Sequence, residues 1–143
     1  MSCTLCQRIE LIKEGKYPFL IHEYPNSYLL LGEQQFYKGY CVLVSKNHFV
    51  EMSDVPSPQR EEIFQEMMIS SKIIQKEFRP KKMNLTSLGN VCEHLHWHFH
   101  PRYADDPDFK NSPWLQILKF DSVVLTPSER DLIISSLKKE LSK

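Results

Sequence analysis

The chain has 143 residues, 41% hydrophobic and 25% charged, with 18 Lys plus Arg matched by 18 Asp plus Glu. That composition supports a packed core in a single domain over 1–143 and argues against disorder. The zero net charge supplies no field to gather a nucleic acid polymer or an anionic membrane, no apolar run approaches a membrane span, and four cysteines do not make a secreted disulfide scaffold.

The opening run Met1-Ser2-Cys3-Thr4-Leu5-Cys6 lacks a basic segment followed by an apolar one. No secretory signal is expected, and the cytoplasm is the expected location. Residues 5–14 are expected to form a short helix ending near Gly15; alone it is marginal, so something must hold it. Residues 19–24 and 27–31 read as strands around a Pro25-Asn26 turn, and 39–45 as a third strand buried on both faces. A long helix is expected over 58–78, capped by Ser57, with Pro58 at its first position and Glu61 and Glu62 near its positive end. Ile63, Met67, Ile74 and Phe78 make its buried stripe, widened by Phe64 and Met68. Arg79-Pro80 ends it.

Residues 83–88 read as a strand, Gly89-Asn90 as a turn or bulge, and 93–100 as a strand that Pro101 terminates. Residues 114–119 stay open between helix and strand. Thr126 and Glu129 form a capping box for a last helix reaching about Leu141, with Leu132, Ile133, Ser136 and Leu137 on its buried side. The two strands after the long helix pair most simply antiparallel. The expected class is α+β, with the long helix on one sheet face.

Four of the six histidines alternate: His94, His96, His98 and His100, separated by Leu95, Trp97 and Phe99. Period two places the imidazoles on one strand face and the apolar groups on the other. Packing alone explains such a face poorly, because every ring nitrogen needs a partner and protonated neighbours repel. A solvated face, an all-histidine metal site and phosphoryl or nucleotidyl chemistry are the three readings. Imidazole is a competent nucleophile, and a neighbouring imidazole can hold phosphate oxygens. Cys3 and Cys6 form a Cys-x-x-Cys pair, open between redox chemistry, metal binding and free buried thiols. With no strand before it, the pair fits metal better than redox.

The run His94-Leu95-His96-Trp97-His98-Phe99-His100-Pro101-Arg102 resembles the signature of the histidine triad (HIT) family of nucleotide hydrolases and transferases. Its Pro-Arg trailer is common in the diadenosine polyphosphate hydrolase and bacterial branches. The block Gly39-Tyr40-Cys41-Val42-Leu43-Val44-Ser45-Lys46-Asn47-His48 is similar to the family's Gly-His, hydrophobic strand, Pro-Lys-x-His block. The resemblance covers residues 3–103 and leaves 104–143 as a C-terminal extension. It implies a HIT-like fold: an antiparallel sheet of about five strands, one long helix packed on it, and a C-terminal helix. It also implies a homodimer and a small-molecule nucleotide as ligand.

By the same resemblance, His96 is the nucleophile that attacks an α-phosphate to give a nucleotidyl-histidine, which water resolves. The expected substrates are dinucleoside polyphosphates, such as diadenosine tetraphosphate, or nucleoside phosphoramidates. His98 is expected to bond phosphoryl oxygens or assist the leaving group. Asn90, His100, Arg102 and Glu33 complete the expected nucleotide- and phosphate-binding set. Three positions depart from the pattern. Tyr40 stands where the family has histidine, Gly32 stands where an asparagine or aspartate usually holds the ribose hydroxyls (Glu33 is its possible substitute), and His100 replaces an apolar residue. These departures leave the substrate open, with a non-catalytic nucleotide-binding or regulatory zinc protein of the same fold as the alternative.

Many bacterial members hold one structural zinc through two N-terminal cysteines, the histidine after the Pro-Lys block and the first triad histidine. The matching residues are Cys3, Cys6, His48 and His94, a Cys2His2 set suited to a closed tetrahedral site. Such an ion would tether the N-terminal helix. Cys41 is assigned to the core, Cys92 has no assignment, and Trp97 and Trp114 are read most simply as packing groups, with the lining of a base pocket as the alternative for either.

Overall fold

The computed structural model describes residues 3–143; Met1 and Ser2, the start of the segment read above for a signal, lie outside them. Helix α1 (Thr4–Lys13) begins at Cys3, whose Sγ accepts the Cys6 backbone N–H at 3.4 Å. Strands β1 (Leu20–Glu23) and β2 (Ser27–Leu31) form the expected hairpin. Strand β3 (Cys41–Ser45), a 3-10 turn (Met52–Asp54), helix α2 (Gln59–Phe78), and strands β4 (Lys82–Thr86) and β5 (His96–Arg102) follow. Two 3-10 segments meet at a kink at Gln116 within Pro113–Ser122, and helix α3 (Pro127–Leu141) ends the chain. The strands form one antiparallel sheet in the order β1-β2-β3-β5-β4, the α+β architecture expected. Among the described residues no helix is long and apolar enough to cross a membrane.

Both sheet faces are covered, which is why all five residues of β2 are buried. Leu29, Leu31, Leu43, Leu95, Trp97 and Phe99 face α2 and α3 and form the larger core with Ile63, Met67, Ile74 and Leu137. On the other face Leu5, Ile9 and Ile12 of α1 pack on Tyr28, Leu30 and Val44. A buried carboxylate joins helix to hairpin: Glu66 accepts from Asn26 N at 3.0 Å and from Ser27 Oγ at 2.5 Å. That satisfaction is what permits a charged residue on the buried side of α2. Gly39 (φ +87°) lets the chain turn into β3 under the Phe78 ring, which a Cβ would meet at 2.6 Å.

Four local expectations are corrected. Pro58, not Ser57, is the N-cap residue of α2, and it makes no side-chain cap bond. Phe64 and Met68 are exposed; the buried stripe runs instead through Ile63, Glu66, Met67, Ser70, Ile73 and Ile74. The sheet needs one narrow face of α2, and the small Ser70 bonds Tyr24 there. Pro101 does not end β5, which continues to Arg102. Carbonyls alternate along a strand, and that of Leu95 meets Ser45 of β3, so the Pro101 nitrogen turns to the same side, beyond Cys41 where β3 begins. Its missing donor therefore breaks no ladder bond. In α3 the capping box forms as expected, but Ile134 and Leu137 are the buried residues and Leu132 is exposed.

Candidate active site and metal cluster

Strand β5 divides its side chains by alternation. Trp97 and Phe99 enter the larger core while His96, His98 and His100 share the opposite face, their rings 4.8 and 6.0 Å apart in succession. His94 lies just before the strand and is fully buried.

Backbone carbonyls set two of these rings. His96 Nδ1 lies 2.6 Å from the His94 carbonyl oxygen. A carbonyl only accepts, so Nδ1 carries the proton and Nε2 carries the lone pair. Among the described residues Nε2 has no protein partner, and His96 lines a cleft of about 650 Å³. His94 Nε2 lies 2.7 Å from the Ser45 carbonyl, so its Nδ1 is the unprotonated nitrogen. One imidazole thus presents a nucleophilic lone pair to the cleft, and its neighbour presents one to the cysteines.

His98 is held differently: the Tyr40 hydroxyl lies 2.7 Å from its Nδ1. Burial, then the His96 charge, lowers its pKa to about 4. The Tyr40 ring lies flat on Gly32, where a Cβ would meet Cδ1 at 2.1 Å. The two departures at Gly32 and Tyr40 are therefore one structural event. A side chain at position 32 and this tyrosine cannot coexist.

His100 is 1% exposed and neither ring nitrogen has a partner among the described residues. It stacks on Tyr40 at 4.6 Å and meets Trp114, Tyr37 and Phe120 edge-on or tilted. Burial, then the charges of His98 and Arg102, takes its pKa from 6.5 to about 3. The unfolded chain then binds the extra proton first as pH falls, so stability present above pH 6.5 is lost on the way down towards pH 3. His100→Phe should flatten that acid limb. Between pH 6.5 and 4.5 the parent should lose about 2 kcal/mol more than the variant. Urea melts across that range measure it, and parallel limbs would contradict it.

The other expected binding residues divide. Asn90 is exposed and lines the cleft beside His96. Glu33 sits in an adjoining pocket of about 140 Å³, paired with Arg8 at 3.1 Å and next to Gly32. Arg102, expected at the entrance towards a distal phosphate, is 1% exposed and turned inward. Its guanidinium bonds Asp106, the Asn84 side chain and the carbonyls of Asp108 and Asn111, which uses all five N–H donors. It clasps the loop after β5 and has no donor left for a phosphate.

The cleft also has walls that sequence reasoning missed, besides Trp114, for which it left the lining of a base pocket open. Trp114 meets the His98 ring edge-on at 4.7 Å and donates to Thr86, and Phe120 stands behind it. Gln34 bonds Asp121, and Gln35 N donates to the Val123 carbonyl at 2.8 Å, pinning this C-terminal segment across the cleft. Thr4, Leu5 and Arg8 of α1 form the opposite wall. No pattern in the sequence marks these residues, because they meet only in three dimensions.

Beside the cleft, ligand atoms of Cys3, Cys6, His48 and His94 all lie within 4.8 Å of one another. Cys6 Sγ is 3.3 Å from His48 Nδ1 and 3.4 Å from His94 Nδ1, and Cys3 Sγ is 3.7 Å from His94 Nδ1. Tetrahedral zinc with ordinary bond lengths has sulfur–nitrogen edges of about 3.6 Å, which these three separations approach. The Ser45 carbonyl fixes the His94 tautomer that such binding needs. Cys92, unassigned from sequence, lies 3.7 Å from Cys3 Sγ at the edge of this cluster, while Cys41 is in the core as expected.

No curated protein matches this chain by sequence. Solved structures do match its fold. A histidine triad protein of Bradyrhizobium japonicum superposes with a TM-score of 0.76 at 23% identity, covering 85% of this chain and 88% of that one. A zinc-bound histidine triad family protein of Mycobacterium smegmatis gives 0.68 at 20% identity over 99% and 97%. Plasmodium falciparum diadenosine triphosphate hydrolase gives 0.67 at 12% identity over 87% and 77%. The HIT domain model matches residues 14–105, from the end of α1 through the whole histidine strand, and the chain therefore belongs to the HIT domain family.

Proposed function

We propose that the protein is a nucleotide hydrolase or nucleotidyl transferase that works through a nucleotidyl-histidine. The observation that carries this reading is the His96 ring: Nδ1–H held on a carbonyl at 2.6 Å, with the Nε2 lone pair left for the cleft. Nε2 attacks the α-phosphorus, a P–N bond forms, and the bond to the leaving oxygen or nitrogen breaks. Water then attacks the same phosphorus and returns His96 to its starting state. His98, adjacent at 4.8 Å, hydrogen-bonds the phosphoryl oxygens as negative charge builds. In this reading Asn90, which lines the cleft, donates to the phosphate chain, and Glu33, in the adjoining pocket, accepts from the sugar. Dinucleoside polyphosphates and nucleoside phosphoramidates both satisfy this chemistry.

The four donors Cys3, Cys6, His48 and His94 fit one structural zinc. Bound there, the ion would close a four-coordinate site that ties α1 to the sheet; it takes no part in the reaction. We further propose, on the family resemblance, that two copies pair as a homodimer whose sheets join across a two-fold axis. Sedimentation should give twice the chain mass, and a monomer at micromolar concentration would refute the pairing.

Labelled dinucleoside polyphosphates and adenosine phosphoramidates, offered to the parent and to His96→Ala, test the enzyme reading. Turnover by the parent alone supports it. Nucleotide binding without turnover by either would replace it with a binding or regulatory role.

A further inference from the structure

We propose that Tyr40 is a positioning residue of this site: its hydroxyl donates to His98 Nδ1 and so fixes His98 as an Nε2–H donor towards the phosphoryl oxygens. The inference rests on the reading above for its chemistry but not for its geometry.

Three observations carry it. The Tyr40 oxygen is 2.7 Å from His98 Nδ1, and this nitrogen is the hydroxyl's partner among the described residues. Were Nδ1 protonated, it would donate to the tyrosine oxygen and leave the phenolic proton without an acceptor in a largely buried place. Donation by tyrosine satisfies both groups and sends the imidazole proton to Nε2. Second, the ring is clamped. It lies on the bare backbone of Gly32 on one side and stacks on His100 on the other, at 4.6 Å and 15° between planes. The hydroxyl therefore cannot swing away from His98. Third, both partners are neutral near pH 7. Burial pushes the Tyr40 phenol up, and burial, then His96, pulls His98 down to about 4.

The result is two adjacent imidazoles in opposite tautomers. His96 has its proton on Nδ1 and a lone pair on Nε2; His98 has its proton on Nε2 and a filled hydrogen bond at Nδ1. One can attack phosphorus while the other donates to a phosphoryl oxygen, and no proton has to move beforehand. A second lone pair facing the same phosphate would repel it.

Tyr40→Phe keeps the ring on Gly32 and removes only the hydroxyl. Nitrogen-15 spectra of histidine-labelled parent, with His98 assigned by its loss in His98→Asn, should show His98 protonated at Nε2 and bare at Nδ1. In Tyr40→Phe the two nitrogens should move towards a mixed-tautomer average. kcat should fall about tenfold with KM within about threefold, the loss of one hydrogen bond that matters during reaction. A melting temperature close to the parent's shows that the fold is kept. A parent spectrum with His98 protonated at Nδ1 overturns the proposal, and so does an unchanged His98 pattern in the variant, whatever happens to kcat. The spectra need no substrate. If the parent turns over no nucleotide, the tautomer result still stands or falls by itself, which separates failure of this inference from failure of the enzymatic reading.

Discussion

His96→Ala should lower kcat by at least about 10⁴-fold while leaving nucleotide binding, metal content and melting temperature close to those of the parent. The size follows from the kind of role. An attacking nitrogen has no partial substitute, and loss of a nucleophile in other covalent enzymes costs about 10⁴ to 10⁶ in kcat. Neither neighbour can replace it. His98 is committed through Nδ1 to Tyr40, and His100 is walled in by Tyr40, Trp114 and Phe120. Binding should survive because Asn90, His98 and the aromatic wall are untouched. Single-turnover mixing of labelled substrate, quenched in denaturant, should trap label on the parent and none on the variant. Residual kcat within about tenfold of the parent would mean that the attacking group is water or another residue.

Removal of metal should have the second largest effect, and on the fold. A strong chelator, or Cys6→Ser, should lower the melting temperature by on the order of 10 °C. Helix α1 has only ten residues, too few to persist alone, and it is held by two things. One is the packing of Leu5, Ile9 and Ile12 on Tyr28, Leu30 and Val44; the other is the cluster of Cys3 and Cys6 with His48 and His94. If the proposed ion is bound there, its removal costs two thiols and the Nδ1 of a fully buried histidine their common partner. Activity should fall too, since Thr4, Leu5 and Arg8 wall the cleft. Elemental analysis should find one zinc per chain. Its absence from protein with reduced cysteines, together with a melting curve indifferent to chelator, would remove the tether.

The sequence carried the elements well wherever period and capping decide them. Thr126 and Glu129 form their box, the β1–β2 turn lies at Pro25 and Asn26, and the alternation of β5 sends Trp97 and Phe99 one way and the histidines the other. That Cys3, Cys6, His48 and His94 come together was legible because the resemblance names all four positions. What failed were decisions made by tertiary context. Phe64 and Met68 look like core by spacing, yet the sheet covers a narrower face of α2 and leaves them outside. Arg102 next to a histidine run suggests a phosphate ligand, but its donors close a loop drawn from residues 106–111. Gly32 and Tyr40 read as two separate departures, and only their contact makes them one.

The cleft is assembled from three stretches of chain that the family match treats unequally. The alternating histidines lie within residues 14–105, whereas Leu5 and Arg8 come from before that span and Trp114 and Phe120 from after it. On the proposed reading, reactivity and choice of guest are thus encoded in separable parts of the polypeptide. Exchange of either flank between relatives would re-tailor which molecule is admitted and leave the reacting strand as it is. A likeness confined to the central span therefore bears on the proposed chemistry at phosphorus, and says little about whose phosphorus it is.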